Sequence, residues 1–480
     1  MNNKESFTPQ AKSGKVSWGL LLVLCGAIFL EGIDVSMINV TLPSIRTELG
    51  MSTGALSWVV SAYVLGYGGF MLLGGRAADL LGRRRMFLAW LFVFLVFSGL
   101  GGFATEGWML IIARFVTGVA AAFMTPAGLS IITTSFPEGP QRNKALLVYA
   151  GTAAAGFSLG LVVGGLLTSV DWRWVFFAPV ILAAVILVSA YALIPRTARP
   201  ERSMHGFDFG GAISVTGAML LLVSAVVNAP DAAWEVTVGT LALGLAFLAA
   251  FVAIERRSAA PLMRLGLLRS GALVRANLGA VLLAGSFFGF QFIAVLYLQE
   301  LRGWSAFETG LALLAVGVDA ILAPTLTPRL VSRFGNVRVI LGGLALAAVA
   351  YALFLPVSLD WSYAAMFPTM ILTGIAFALT YGPLTIAATD GIAEEEQGLA
   401  SGLVSTSIQF GAALGLSAVT AVSIIATGSD ESPQAALEGY RTALLVPVAA
   451  AVLGAAITAI GLRKRDGSRA ANKATGVHSG

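Results

Sequence analysis

Two acidic residues, Glu31 and Asp34, interrupt an apolar stretch that runs from Trp18 to Pro43. Because three positions separate them, a helix places both on one face, about one turn apart. A carboxylate inside a membrane span is costly to bury and is typical of proton relays, ion pathways and substrate sites. The stretch therefore predicts a membrane helix whose acids handle protons or cations.

The whole chain has the composition of a membrane protein. Of its 480 residues, 57% are hydrophobic and 11% are charged, whereas a soluble protein carries roughly 25% charged residues. Apolar runs of about 20 residues recur between short polar breaks, and we count fourteen of them. This pattern predicts an all-α polytopic membrane protein embedded in a lipid bilayer.

Lysine and arginine concentrate at the N-terminus, in every second connection and near the C-terminus. The positive-inside rule then predicts that both termini are cytoplasmic. The predicted divisions are a cytoplasmic tail at 1–17, a six-helix bundle at 18–194, a linker with two extra helices and a cytoplasmic connector at 195–276, a second six-helix bundle at 277–462, and a disordered cytoplasmic tail at 463–480.

The residue types that much enzyme chemistry requires are scarce. The one cysteine, Cys25, lies in the first predicted span, and the two histidines, His205 and His478, lie outside the spans. No Gly-x-x-x-x-Gly-Lys-Ser/Thr loop for an ATP-driven pump occurs. We therefore expect no disulfide within the chain, no metal site, no cofactor beyond a proton gradient, no nucleic-acid partner and no enzymatic activity.

The loop after the second span has a distinctive spacing of glycine, aspartate and arginine. Its residues are Gly75, Asp79, Gly82, Arg83 and Arg84. Glycines allow a tight turn between two helices, and the aspartate can face the N-terminus of a neighbouring helix. The arginines could also simply fix the topology, but the spacing Gly-x-x-x-Asp-x-x-Gly-Arg-Arg is more regular than topology requires.

Two more charged residues fall inside predicted spans. Arg114 either reaches the membrane surface or tunes a carboxylate in the amino-terminal half. Asp319, near the middle of its span, either binds a proton or cation or is a protonated acid bonded to backbone. Side chains that could line a substrate site, or could merely join helices, are Asn39, Asn277, Gln291, Tyr297, Tyr381, Gln409, Phe287, Phe288, Phe290 and Phe292.

Four ordered motifs resemble those of the major facilitator superfamily. The loop at 75–85 is similar to the signature between its second and third helices. The segment 34–43, which begins with Asp34, resembles the first-helix motif of its fourteen-span drug:proton antiporters. Arg114-Phe-Val-Thr-Gly118 is similar to the Arg-x-x-x-Gly motif of the fourth helix, with Thr117 where glutamine is usual.

The fourth motif lies in the fifth span and resembles the one that characterises the antiporters. Leu161 stands where that motif usually has proline, and Trp172-Arg-Trp174 follows it. The motif glycines are Gly156, Gly160, Gly164 and Gly165.

The second half of the chain repeats the first imperfectly. The segment 328–338 corresponds to 75–85 and keeps its second glycine, while Ser332 replaces the aspartate. Parallel repeats of this kind place the substrate site at their interface near the membrane midplane. We expect the extra helices at 209–228 and 236–254 to be a peripheral scaffold, since they have little charge inside the membrane.

The resemblance implies a monomer in the bacterial cytoplasmic membrane that exports amphipathic or cationic compounds, antibiotics among them, in exchange for protons by alternating access. Asp34 is the first candidate for proton coupling, with Glu31 as its modulator and with Arg114 and Asp319 as further candidates. Counting from Trp18 puts Asp34 about 24 Å into a core of about 30 Å, in its outer half.

Two further expectations complete the sequence-based hypothesis. The resemblance implies that Asp79 docks near the helix that follows the acidic loop at 390–397 and holds the cytoplasmic side closed. A proton-coupled exporter or importer of one endogenous metabolite would share the whole architecture and is the alternative.

Overall fold

The computed structural model describes residues 14–136, 140–195, 208–229, 232–258, 266, 269–390, 392, 394–428, 430 and 432–475. In that part of the chain the regular structure is entirely helical. The α-helices are α1 (Gly14–Leu49), α2 (Thr53–Leu81), α3 (Arg83–Gly102), α4 (Gly107–Ser135), α5 (Pro140–Thr168), α6 (Trp174–Leu193), α7 (Phe209–Asn228), α8 (Trp234–Glu255), α9 (Gly271–Leu296), α10 (Ala306–Leu313), α11 (Asp319–Thr325), α12 (Thr327–Phe334), α13 (Asn336–Phe354), α14 (Tyr363–Thr389), α15 (Glu394–Thr427), α16 (Pro433–Ala443) and α17 (Leu445–Thr475).

Thirteen helical segments of the described residues are long and apolar enough to cross a membrane, and a shorter apolar segment, Gly210–Leu222, lies in α7. The predicted all-α polytopic architecture is thereby confirmed. The orientation of the termini stays a prediction. We call the end of the bundle where α1 ends and α2 begins the outer end, as that prediction places it, and the opposite end the inner end.

Two spans depart from regular α-helix. Helix α9 passes into a π-helical turn at Tyr297–Leu301. The tenth span, predicted as one continuous segment, is α10, a 3₁₀ turn at Leu314–Val318 and α11, with α12 following directly. Such local departures often mark hinges or functional positions, and both of these lie where the two halves of the protein meet.

Helix pairing in the first half recurs in the second. Helix α1 packs on α5 and α6, and α3 packs on α4 and α6. In the second half α9 packs on α15 and α17, and α13 packs on α14 and α17. Helices α1 to α6 and α9 to α17 therefore have the arrangement of a parallel repeat.

A glycine at positive φ makes the same turn in both halves. Gly82 separates α2 from α3 with φ 99°, and Gly335 separates α12 from α13 with φ 82°. A residue with a side chain adopts this backbone conformation only with strain. The glycine that the sequence comparison matched between the halves thus has the same local role in each.

The extra pair, α7 and α8, covers one edge of the interface between the halves. Helix α7 contacts α2 in the first half and α15 in the second. The Thr216 hydroxyl donates to the Gly69 carbonyl oxygen at 2.6 Å. At the inner end of the pair, Asp208 and Glu255 are 9% and 5% exposed, so buried carboxylates occur here where little charge was expected.

Two predictions about segments between and after the bundles have different outcomes. Helix α17 continues to Thr475, so the predicted disordered tail at 463–480 is wrong for residues 463–475, while 476–480 lie outside the described residues. Alanine, arginine and lysine there are good helix formers, and an existing helix needs no new nucleus to continue. Residues 259–265 and 267–268 of the predicted connector also lie outside the described residues.

Glycines of α5 let its backbone approach α1 closely. A Cβ at Gly156 would lie 2.6 Å from the Phe29 carbonyl oxygen, and one at Gly164 would lie 2.6 Å from Met37 Cα. Between them, a Cβ at Gly160 would lie 2.9 Å from Ile33 Cα. This contact fixes the stretch of α1 that carries both acidic residues.

We expect Gly160→Val to destabilise the protein by about 1–3 kcal/mol or more, because the new side chain has no space against α1. The measurement is the thermal unfolding midpoint of the purified protein in detergent. The matched control is Gly151→Val on the same helix, where a Cβ meets nothing within 4 Å. Equal midpoints for the two variants would contradict this account of α1–α5 packing.

Candidate functional site

Arg114 and Asp34 form a salt bridge in the interior of the first half. Arg114 Nη1 donates to Asp34 Oδ2 at 2.6 Å, and the two side chains are 2% and 3% exposed. Arg114 Nε also donates to the Val59 carbonyl oxygen at 3.4 Å, and the guanidinium carbon lies 4.4 Å from the Tyr63 ring centroid. A buried ion pair requires such additional partners. Arg114 therefore points into the protein and does not reach the membrane surface.

Helix α1 is longer than predicted. Its apolar segment Trp18–Leu49 has 32 residues, which is about 48 Å at 1.5 Å per residue. Asp34 lies at the midpoint of this segment, and its predicted place in the outer half of the membrane stays a prediction. Pro43 and the polar residues after it suggested an end near residue 41, but the helix continues past Pro43.

Glu31 has a different environment from Asp34. Its side chain is 7% exposed, accepts a hydrogen bond from the Thr125 hydroxyl on α4, and lies beside the Tyr67 hydroxyl on α2. It makes no ion pair with a described residue. Tyr381, which is on α14 in the second half, lies within electrostatic range of Glu31 and is 44% exposed. Glu31 is thus the acid nearer the interface between the halves.

Asp319 belongs to another part of the molecule. It begins α11, which packs against α5 and α14, and it is only partly buried. No described residue forms a salt bridge with it. A 3₁₀ turn, Leu314–Val318, precedes it. The predicted role of Asp319 in binding a proton or cation stays a prediction.

A chain of aromatic rings crosses from the first half to the second. The Phe157 ring centroid on α5 lies 6.4 Å from those of Phe287 and Phe288 on α9. Phe287 lies 4.4 Å from Phe377, which stacks on Tyr381 at 5.4 Å. Phe157 and Phe377 were not identified from the sequence. Phe377 could have been, since it lies four residues before Tyr381 and therefore on the same helix face.

Other predicted aromatic residues have packing roles. Phe290 lies 5.0 Å from the Tyr351 ring centroid and 5.3 Å from that of Phe354, inside the second half. Phe292 is 4% exposed. The Tyr297 hydroxyl donates to the Ser358 carbonyl oxygen at 2.6 Å, and the residue is fully buried. We therefore exclude Tyr297 from the substrate site, because its polar atom and its surface are both already used within one half.

The predicted polar residues fall into two groups. Asn277 joins two helices by accepting a hydrogen bond from Ser407 at 2.7 Å. Gln409 packs on α2, 2.9 Å from the position of a Cβ on Gly68. Asn39 and Gln291 are buried and have polar atoms without a hydrogen-bond partner among the described residues.

At the outer end, side chains join the two halves. Arg46 Nη1 donates to both carboxylate oxygens of Glu300, at 2.8 and 2.9 Å, and the Tyr440 hydroxyl donates to Glu300 at 3.0 Å. Gln299 Nε2 donates to the Val40 carbonyl oxygen at 2.7 Å. The π-helical turn supplies both Gln299 and Glu300. We call these contacts the outer latch.

Below the outer latch the halves meet backbone to backbone. A Cβ at Gly165 on α5 would lie 2.5 Å from the Ala306 carbonyl oxygen, and a Cβ at Gly310 on α10 would meet the Leu161 carbonyl oxygen. On α5, Gly156, Gly160 and Gly164 thus face α1, whereas Gly165 faces the other half. Helix α5 is continuous through Leu161.

The arginines of the loop motif bind carbonyl groups at the inner end. Arg83 Nη1 lies 3.5 Å from the Ser130 carbonyl oxygen, and Arg84 Nη2 donates to that of Tyr191 at 2.8 Å. Gly75 lies near Pro126 on α4, with 3.8 Å from a Cβ position to the proline Cβ. The side chains of Asp79 and of Glu394 to Glu396 lie outside the described residues, so the proposed docking of Asp79 stays a prediction.

These features are typical of a polytopic secondary transporter: two repeated helical halves, a buried charge cluster in one of them, and side-chain contacts between the halves at one end. A family model described as the Major Facilitator Superfamily matches residues 24–416. The chain belongs to this superfamily. The predictions of its fold class, of a multi-pass membrane protein and of a transporter in place of an enzyme are confirmed.

Relatives and solved structures agree with this assignment. The chain is 34% identical to a puromycin resistance protein of Streptomyces alboniger, over 95% of this chain and 92% of that one. It is 33% identical to a lincomycin resistance protein of Streptomyces lincolnensis, over 86% of each. The structure of the POT family transporter PepTSo superposes with a TM-score of 0.70 at 16% identity, over 95% and 99% of the two chains, a likeness of fold alone.

Removing one partner of the buried ion pair should leave an uncompensated charge. We expect Arg114→Gln to destabilise the protein by about 3–5 kcal/mol, and the double variant Asp34→Asn, Arg114→Gln to be more stable than Arg114→Gln alone. Thermal unfolding in detergent measures both. A double variant less stable than Arg114→Gln would mean that the pair is not the reason for the loss.

Loss of the outer latch should open the outer end. We expect Glu300→Gln to increase labelling of Asn39→Cys by an impermeant maleimide several-fold, on a Cys25→Ser background that removes the one native thiol. The matched control is Glu48→Gln, since Glu48 also lies at the outer end but pairs with Arg173 within the first half. Equal labelling in the two variants would show that the outer latch does not keep the outer end closed.

Proposed function

We propose that the protein exports small amphipathic or cationic compounds, antibiotics among them, in exchange for protons by alternating access. The single observation that carries this proposal is the charge balance around Arg114. Two carboxylates, Asp34 and Glu31, lie one turn apart on α1, and among the described residues one guanidinium accompanies them. With both acids ionised, the buried cluster lacks one positive charge.

Either a proton or a cationic substrate can supply the missing charge. Buried net charge is strongly unfavourable, so the cluster favours one of these two occupants, while both together would leave it with an excess positive charge. Because a proton and a cationic substrate compete for this one charge deficit, the cluster can exchange one for the other. In the proposed cycle a proton binds from outside, the halves rock, the proton leaves on the inner side, and the cation binds in its place.

The roles of the two acids follow from their neighbours. Asp34 is held by Arg114, so protonation of Asp34 releases the guanidinium to act on nearby charge. Glu31 has only neutral donors and lies toward Tyr381 on the other half, so we assign it direct contact with the cation. The aromatic chain from Phe157 to Tyr381 supplies apolar surface for the rest of an amphipathic substrate.

Movement between states requires the contacts between halves to separate at one end. In this structure Arg46–Glu300 and Gln299–Val40 of the outer latch join the halves at the outer end. The glycine contacts of α5 with α10 have few side-chain atoms to displace, so we assign them the pivot. All of these groups are in one chain, and we propose that a monomer carries out transport.

The exchange of one proton for one monovalent cation moves no net charge. A gradient of one pH unit is then worth about 1.4 kcal/mol, or roughly tenfold accumulation. A membrane potential of 100 mV, worth about 2.3 kcal/mol for each charge moved, should have no direct effect on this exchange. We expect ethidium uptake into inverted proteoliposomes to follow the pH gradient and not a potential set with valinomycin.

The coupling residue is tested with the purified protein in liposomes with an imposed pH gradient, using ethidium, puromycin and lincomycin. We expect Asp34→Asn to abolish gradient-driven transport, while the control Asp171→Asn, which changes an exposed acid in the connection before α6, transports normally. Unfolding midpoints check that both variants fold. Normal pH-driven transport by Asp34→Asn would overturn the assignment, and selective loss in Asp319→Asn would move it to Asp319.

Glu31→Gln distinguishes cation binding from proton coupling. Without Glu31, the remaining pair is neutral and no charge deficit attracts a cation. We expect the affinity for ethidium to fall about tenfold or more, since a charge at this distance contributes a few kcal/mol at an effective dielectric of about 20. Binding is measured by fluorescence anisotropy, with a neutral lipophilic dye expected to change less than threefold. Equal losses for both dyes would contradict the charge argument.

A further inference from the structure

The side-chain amide of Gln291, on α9, is buried and has no hydrogen-bond partner. The residue is 1% exposed, and neither its Nε2 nor its Oε1 forms a hydrogen bond with a described residue. Burying an amide without hydrogen bonds is unfavourable, and the large majority of buried polar side chains are paired. A ligand that reaches this amide can therefore gain several hydrogen bonds that no side chain of the protein competes for.

The neighbours of Gln291 on α9 show which way its side chain points. Phe287, one turn before it, and Phe288 both have their rings next to Phe157 on α5, in the first half. At 3.6 residues per turn, position 291 projects about 40° from position 287, in the direction of position 288. Gln291 therefore faces the first half, as the two rings do.

Along α9, Gln291 lies between two sets of contacts that join the halves. The aromatic chain passes through Phe287, about 6 Å nearer the inner end. Gln299 of the outer latch, about 12 Å nearer the outer end, donates to the Val40 carbonyl oxygen. Tyr381, at the inner end of the aromatic chain, is 44% exposed, whereas Gln291 is 1% exposed. The amide is thus on the outer side of the aromatic chain.

A second amide with an unpaired donor occupies the same layer in the first half. Asn39, on α1, is 8% exposed, and its Nδ2 has no hydrogen-bond partner among the described residues. It directly precedes Val40, which the outer latch binds. It follows Gly32 by about two turns, and a Cβ at Gly32 would lie 3.0 Å from the Phe157 backbone nitrogen. Asn39 therefore also lies between the aromatic chain and the outer latch.

These amides specify the chemistry of a ligand group. Gln291 offers two N–H donors and a carbonyl acceptor, and Asn39 offers further donors. A carboxamide has a donor and an acceptor on neighbouring atoms, so it can pair with the Gln291 amide through two hydrogen bonds. A site built to hydrogen-bond a group of the substrate rejects analogues that lack that group, because its own polar atoms are then left unpaired.

We propose that Gln291 determines specificity by binding a carboxamide-type group of the substrate on the outer side of the aromatic chain, with Asn39 as a further donor. The inference rests on the proposed function, since it concerns the substrate of the same exchange. Glu31 then binds the cation, the aromatic rings bind the apolar part, and Gln291 binds a neutral polar part. The preferred substrates are amphipathic cations that also carry a carboxamide, a lactam or a similar group.

The test uses three N-benzylpyridinium cations that carry a carbamoyl, an acetyl or an ethyl group at the same ring position. They have the same charge and the same rings, but the added group is a donor and acceptor, an acceptor alone, or neither. Binding to the purified full-length protein is measured by isothermal titration calorimetry. We expect the carbamoyl compound to bind at least fivefold more tightly than the ethyl compound, with the acetyl compound between them. Equal affinities would overturn the proposal.

Two variants assign the preference to one side chain. Gln291→Met keeps the length of the side chain without its amide, so we expect it to lose the preference and to unfold at a higher temperature. Asn277→Leu is the matched control, because Asn277 is an amide on the same helix that already bonds to Ser407. It should keep the preference and unfold at a lower temperature. A preference that persists in Gln291→Met would overturn the assignment.

Transport of the same probes into liposomes distinguishes the amide subsite from the proton exchange. If the proposed exchange is wrong, none of the three cations follows an imposed pH gradient, while the binding preference for the carbamoyl compound remains and supports the subsite. If the subsite is wrong, all three cations follow the gradient alike and their dissociation constants are equal.

Discussion

A carboxylate and a guanidinium that are both almost fully removed from solvent impose strict conditions on the helices around them. Each ion costs several kcal/mol to desolvate, and the pair is tolerated only with close geometry and further partners. Asp34 and Arg114 meet these conditions because α1, α2 and α4 come together around them, and Val59 and Tyr63 complete the surroundings of the guanidinium. The glycines of α5 then hold α1 at a fixed depth and rotation. The position of Glu31, one turn away, follows from the same constraint.

The two halves contribute different physical properties to the interface between them. The first half supplies the buried charge, and the second half supplies most of the aromatic rings and both residues of the π-helical turn that reach across. The buried charge and most of the aromatic rings are therefore in different halves, so any movement of the halves changes the distance between them. A substrate that bridges Glu31 and Tyr381 would sense that movement at both ends.

Continuous apolar runs were sufficient to predict the helical spans, since length and hydropathy define a membrane helix. The family and the repeat were evident from the ordered motifs and from the matching segments 75–85 and 328–338. The paired acids on one face of α1 were also evident from their spacing. Partners could not be predicted, because Thr125, Phe157 and Phe377 come to the site through packing between helices distant in sequence. Helix ends outside the bilayer were missed at Leu49 and Thr475, where polar residues continue a helix that apolar residues began. The 3₁₀ turn before Asp319 was also missed, because it has no distinct sequence pattern.

The contacts that join the halves differ in how strongly the surrounding water acts on them. Arg46 and Glu300 are 35% and 24% exposed, so dissolved ions screen their attraction, over a distance that falls from about 8 Å at 0.15 M salt to about 3 Å at 1 M. The backbone contacts of Gly165 and Gly310 carry no charge and are insensitive to salt. Concentrated salt should therefore weaken the outer latch, while it leaves the glycine contacts between α5 and α10 unchanged.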